Sequence, residues 1–168
     1  KVCNLSKGML SMLTVIIGLA SKAEITILDE PAAGLDVIVR EEFYKLIIDE
    51  QQENGRTFII STHIIEEAAN VFEEVIILKD KCVYLKENTV ELLDKCRYVS
   101  GLEEDVKNAV DGCKIINEEH IGRSFAVTVM QDGDGKIKAV QHVTVQPVSL
   151  QSLFIAICGQ VVNVVVAG

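Results

Sequence analysis

Residues 25–31 read Ile-Thr-Ile-Leu-Asp-Glu-Pro, an apolar, β-branched run that ends in two adjacent carboxylates and a proline. The run has the pattern of a buried parallel strand. Pro31 has no N–H to give to a sheet ladder, so the strand stops there. Asp29 and Glu30 therefore fall at the carboxyl end of the strand, the edge at which open α/β sheets bind ligands. Two acids at that edge suit a magnesium–nucleotide site: one holds the metal through its water shell and the other positions an attacking water. Taken alone, the pair suits an ordinary solvated strand end equally well, and the neighbouring segments decide between the two.

Those neighbours alternate helix and strand. Ser6 is placed to N-cap a helix running to about Ala20, and the strand 25–29 follows. Residues 37–53 put Val39, Phe43, Leu46 and Ile47 on one helical face, and Asn54-Gly55 ends that helix. A second buried strand is expected at 57–61, then a helix capped by Thr62 and running to 72. Strands at 75–78 and 83–85 flank the turn Asp80-Lys81. This order predicts a parallel sheet with helices on both faces.

Beyond about Lys95 the strands become polar and alternating, at 124–129 and 142–146, with helices expected at 102–110, 135–140 and 149–157. The expected division is an α/β domain over 1–96, a small α+β appendage over 97–158 and a frayed tail over 159–168. The loop 131–135 carries Asp132 and Asp134 but lacks the third acid and closing Glu of a calcium loop, and it reads as a turn.

Composition narrows the function classes. A net charge of −9 opposes a nucleic-acid surface, which needs clustered Lys and Arg. The 5 cysteines are scattered and include no Cys-x-x-Cys, a pattern that fits a reducing compartment better than a disulfide framework or zinc site. Apolar stretches at 9–20 and 153–167 fall short of the ~20 residues a spanning helix requires, so a soluble chain is expected.

Four short segments occur in order: Leu5-Ser6-Lys7-Gly8-Met9 opening a helix, Leu28-Asp29-Glu30-Pro31, Ala33-Gly34-Leu35-Asp36, and Ser61-Thr62-His63 closing the second strand. Read alone, Ser6 and Asp36 are helix N-caps and His63 is a strand-end histidine. In this order and spacing, over about residues 5–95, the set resembles the nucleotide-binding domain of ATP-binding-cassette (ABC) transporters from the signature motif onward. In that family the four are the signature, Walker B, D-loop and H-loop. The region beyond resembles a C-terminal extension of some bacterial ABC exporter ATPases.

The resemblance implies the C-terminal part of a P-loop NTPase cassette that uses ATP and Mg2+. By that likeness Asp29 holds magnesium through water, Glu30 polarises the attacking water, and His63 senses the γ-phosphate. Leu5, Ser6, Lys7 and Gly8 present helix N-terminal N–H groups to the γ-phosphate of a nucleotide held mainly by a partner subunit. Gly34, Leu35 and Asp36 form the turn linking the two sites of a dimer. The implied partners are a second ATPase subunit, identical or not, and an integral membrane permease, with the protein cytoplasmic and peripheral at the inner face of the cell membrane. His120 and His142 have no partner at ligand spacing and are given no role.

Several residues depart from the family pattern. No Gly-x-x-x-x-Gly-Lys-[Ser/Thr] occurs; the one Gly-Lys, Gly135-Lys136, is followed by Ile137. These 168 residues alone are therefore expected not to hydrolyse ATP. Lys7 stands where the commoner signature has glycine, and Met9 where it has glutamine. Met12, Leu13, Val15, Ile16 and Ile17 predict a first helix covered on more than one face. The competing expectation is a non-catalytic cassette kept for dimerisation or regulation. An ABC ATPase of DNA repair or translation is disfavoured by the acidic balance.

Overall fold

A computed structural model describes residues 5–133, 135–159 and 164–167. The chain divides into two compact units, one of Lys1–Glu87 with Val162–Gly168 and one of Asn88–Val161. The first contains α1 (Lys7–Ala20), β1 (Ile25–Asp29), α2 (Val37–Asn54), β2 (Thr57–Thr62), α3 (Ile65–Ala68), β3 (Glu74–Lys79) and β4 (Cys82–Asn88). The second contains α4 (Thr89–Lys95), β5 (Cys96–Gly101), α5 (Glu103–Ala109), β6 (Lys114–Ile121), β7 (Ser124–Met130), β8 (Thr144–Pro147) and α6 (Leu150–Cys158). The final strand, β9 (Val164–Ala167), returns to the first unit.

The fold is α/β with a parallel strand pair, as expected of part of a P-loop ATPase cassette. Among the described residues the first sheet runs β1-β2-β9-β3-β4. β1 and β2 are parallel, with Asp29 opposite Ser61. β9 is antiparallel to both β2 and β3, so those two strands run in the same direction on either side of it. The tail expected to fray thus supplies a central strand: its Val164-Val165-Val166 run has high strand propensity and meets two strands with edges to pair.

Helices on both faces were expected of this sheet, and the observed packing is one-sided. A Cβ added to Gly18 of α1 would touch Thr26 and Leu28. Thr26 pairs with Phe58 and Leu28 with Ile60, so these four share a face. Ile47 and Gln51 of α2 approach Phe58 on that same face. Phe43, Phe58, Ile60, Val75 and Ile77 are fully buried there. On the opposite face Ile25 and Ile27 are 62% and 72% exposed, so β1 is buried on one side only.

Arg56 ties this unit together. It is buried, stacks 5.0 Å from the Phe58 ring centroid, and donates to the carbonyls of Gly18, Leu19 and Ala23, to Thr26 Oγ1 and to Glu50 Oε2. One guanidinium thereby satisfies the orphan carbonyls at the end of α1, and its charge is matched by Glu50.

The second unit is an antiparallel sheet in the order β6-β7-β5-β8. Its core joins Val106 and Val110, from α5 and its C-terminal end, to Val99, Phe125, Val127 and Val129.

Two expected helices are corrected. The helix 62–72 is only Ile65–Ala68, because Thr62 completes β2 and Ile64, at the N-cap, makes no side-chain capping bond. The helix 135–140 does not form. Lys138 N instead donates to Ala109 O and Lys138 Nζ pairs with Asp111, so tertiary bonds outweigh a short stretch of local helix preference.

Candidate functional site

The two acids sit where the strand pattern put them, and a tight set of bonds holds them. β1 ends at Asp29, and Glu30 takes a left-handed backbone with φ 46°. For a non-glycine residue that conformation costs about 1–3 kcal/mol and persists only where surrounding bonds impose it. Here Glu30 N donates to Ser61 O at 3.0 Å and also to Ser61 Oγ at 3.2 Å. Ser61 Oγ in turn donates to Asp29 Oδ1. The parallel register that sets Asp29 opposite Ser61 makes this possible.

His63 lies just past the end of β2, its Nδ1 2.6 Å from Glu30 Oε2. The Glu30 side chain is 27% exposed and that of His63 62%, so the pair is half-open to solvent. Asp29, Glu30 and His63 are thus gathered at one sheet edge with Ser61. Motif reading gave Ser61 no role of its own, although its position opposite Asp29 in a parallel pair was a usable signal.

After Glu30 the chain turns tightly. Ala33 N donates to Glu30 O at 3.0 Å and Leu35 N to Ala32 O at 3.3 Å, while Gly34 takes φ 80°. Asp36 then caps α2 by accepting from Val39 N at 3.0 Å. Ser6 caps α1 by accepting from Met9 N at 3.2 Å. Lys7 begins the helix, and its side chain lies outside the described residues.

Gly8 sits against that turn: a Cβ on it would lie 2.6 Å from Gly34 O. Glycine is needed at position 8 for close backbone approach, not for an unusual φ. Leu5, Ser6 and Gly8 line a groove of about 520 Å3 with Gly34, Leu35 and Asp36, walled by Met12 and Ile16. That groove is a second cluster, distinct from the one at Glu30 and His63. His120 stacks on Phe125, 4.9 Å between centroids, and His142 has φ 62°; both lie in the second unit.

A buried polar group on α2 lies near this edge. Tyr44 is buried on α2, and burial, then the Glu67 carboxylate, push its hydroxyl up to about 12. Thr62 approaches that hydroxyl without completing a hydrogen bond. Arg40 Nη1 meets Glu67 Oε1 at 3.1 Å, yet Arg40 Nε and Glu67 Oε2 are buried without partners.

Among the described residues no three His, Cys, Asp or Glu side chains converge as a metal cage. The donor set at the sheet edge, two hard carboxylates with Ser61 holding one oxygen of Asp29, fits Mg2+, which takes one or two protein carboxylates plus phosphate and water oxygens.

Comparison with known proteins identifies the chain's relatives. The family described as "AAA domain, putative AbiEii toxin, Type IV TA system" matches residues 3–69. An ABC transporter ATP-binding protein of Methanocaldococcus jannaschii is 34% identical over 133 residues, 79% of this chain and 47% of that protein. The ABC transporter ATP-binding protein YtrB of Bacillus subtilis is 23% identical over 162 residues, 93% of this chain and 56% of its own. An energy-coupling factor transporter ATP-binding protein of Staphylococcus saprophyticus is 32% identical over 106 residues, 63% of this chain and 37% of its own. The chain spans about half the length of the curated relatives it matches.

Proposed function

The chain belongs to the ABC transporter ATP-binding proteins, and from that premise we propose that it is the part of an ATP-hydrolysing subunit that supplies the water-activating edge and the signature helix. The observation that carries this reading is the Glu30–His63 contact of 2.6 Å at the end of β1, with Glu30 held at a strained backbone by Ser61.

In this reading Asp29 is the carboxylate toward Mg2+, which when bound neutralises the phosphate charge of ATP. Glu30 orients and deprotonates the attacking water, its carboxylate held by His63 until the nucleotide's γ-phosphate takes over the imidazole. Leu5, Ser6, Lys7 and Gly8 present the N-terminus of α1, a 14-residue helix, to the γ-phosphate of a nucleotide seated on a second subunit. The separation of this cluster from Glu30 and His63 supports a two-subunit arrangement, in which each site draws one cluster from each chain. Gly34, Leu35 and Asp36 join the two clusters along the backbone, so a shift at one is carried to the other.

The permease is proposed as the membrane partner. No helix among the described residues is long and apolar enough to cross a membrane. A cytoplasmic, membrane-peripheral location follows from that assembly. The other reading, a non-catalytic cassette, draws on the missing Gly-x-x-x-x-Gly-Lys motif. The Glu30–His63 pair and the backbone strain at Glu30 favour hydrolysis.

The test joins these residues to a P-loop-bearing amino-terminal segment and measures ATP turnover. The joined protein should hydrolyse ATP, and Glu30→Gln should lower the rate by roughly 10²–10⁴-fold while leaving nucleotide binding intact. The 168 residues alone should show no turnover. Turnover indifferent to Glu30→Gln in the joined protein would sink the assignment.

A further inference from the structure

The second unit holds a groove of about 370 Å3 that the ATPase chemistry does not use, between one face of its sheet and α6. The two faces of this sheet differ in kind. One is the dry core of Val99, Phe125, Val127 and Val129. On the other, strand register sets four polar residues in one line across all four strands: Asn117 on β6 opposite Thr128 on β7, Thr128 opposite Tyr98 on β5, and Tyr98 opposite Gln146 on β8.

A bulge completes the line. Ile115 pairs with Val129 and Asn117 with Thr128, so Ile116 is the extra residue that slips the register. Without that slip Ile116 would stand opposite Thr128. Bulges re-aim side chains beside functional sites. All four members of the line border the groove, and Thr128 does so while only 6% exposed. The roof is the face of α6 bearing Ser152, Ile155 and Ala156, an i, i+3, i+4 set that gives one hydroxyl and one apolar wall.

Charge sets the ligand's sign. Tyr98 donates its hydroxyl proton to Glu119 Oε1 at 2.9 Å, and burial together with this carboxylate raises its pKa. The Tyr98 oxygen is left as an acceptor, and among the described residues Glu119 has no ion-pair partner. The end of the groove at Glu119 therefore offers acceptors to a positive donor. The amides of Asn117 and Gln146 and the hydroxyls of Thr128 and Ser152 take hydroxyl groups of either sense. The volume is at the low end of the ~300–1,000 Å3 of small-molecule sites, which suits a single ring.

We propose that this groove binds a small amino-polyol, with the ammonium on Glu119 and the hydroxyls on the neighbouring members of the line, Asn117, Thr128 and Tyr98. The inference is independent of the ATPase reading. It is tested by NMR titration of the 168-residue chain with glucosamine, using glucose and N-acetylglucosamine as analogues without the ammonium. Glucosamine should give saturable shifts at the Asn117, Thr128 and Tyr98 amides. Binding should weaken about tenfold for the two analogues and in Glu119→Gln, the loss of one charge-assisted contact. Ala156→Leu should block the groove and abolish the shifts, with the Val99 and Val127 resonances unmoved as a check on folding. Absence of saturable shifts with glucosamine, or equal affinity in Glu119→Gln, would overturn the proposal.

Discussion

The two units bring polar side chains together by different means. In the first, Asp29, Glu30, Gly34 and Asp36 arrive by chain continuity, from one strand end through one turn to one helix cap. In the second, Asn117, Thr128, Tyr98 and Gln146 come from four strands and meet only because the antiparallel ladders pair them. The first arrangement depends on a few contacts that no other residue can supply, Arg56 and Gly8 foremost. The second rests on a sheet whose core is a cluster of exchangeable valines. Disturbing the first unit should therefore produce large, localised losses that leave the second unit intact.

The largest such loss is expected from Arg56→Ala. The change removes five hydrogen-bonded contacts and leaves the carbonyls at the end of α1 without their donor, while Glu50 keeps its ion pair with Lys22. Leaving those carbonyls without a donor should cost about 3–5 kcal/mol, at roughly 1–3 kcal/mol for each group left unsatisfied. Hydrogen exchange resolved by residue should show protection lost over β1 and β2 and kept over β5 and β7. Loss across both units together would break the comparison. The same contact has an acid limit: Glu50 is held below the ordinary carboxylate range by Lys22 and then Arg56. Its folded pKa is depressed, so its contribution is present above the unfolded value of about 4.3 and disappears as pH falls through the lower folded value.

A smaller loss is expected at the turn. Gly8→Ala places a methyl 2.6 Å from Gly34 O, a backbone atom that cannot rotate away. Separation of α1 from the turn should cost about 1–3 kcal/mol by urea denaturation. In the joined, P-loop-bearing protein it should also lower turnover. A fall in turnover with stability unchanged would mean that Gly8 serves the nucleotide alone and not the packing of the turn.

How much was legible in the sequence follows the same division. The Ile25–Asp29 strand, the Ser6 and Asp36 caps and the Gly55 helix stop (φ 63°) are written in consecutive residues, and each is observed. The resemblance gave Glu30 and His63 their roles, and what brings the two together is the parallel pairing of β1 with β2. Ile25 and Ile27 read as buried because periodicity cannot say how many faces of a strand are covered. Arg56 carried no local signal; its partners Gly18 and Thr26 are 38 and 30 residues away. The polar line in the second unit depends on registers that a bulge alters, and β9 on a pairing with strands about 90–110 residues earlier. Pairing at such separations leaves no pattern within a short window.

The smallest expected effect has the opposite sign. Tyr44 keeps its hydroxyl buried without a hydrogen-bond partner, close to Thr62 and facing Glu67. Tyr44→Phe removes a desolvated polar atom and retains the ring contacts with Phe43 and Phe72, at 5.0 and 6.0 Å between centroids. Stability near pH 7 should be unchanged or gain up to about 1 kcal/mol. At alkaline pH the two proteins should diverge. The folded pKa is raised to about 12 from 10.0, so the native state resists ionisation, and stability falls as pH climbs through that window. The Phe variant lacks that group and should decline less steeply between pH 10 and 12. A loss near pH 7 of more than about 1 kcal/mol would instead show that a bound water satisfies the hydroxyl. In that case Tyr44 would join Arg56 among the first unit's irreplaceable contacts.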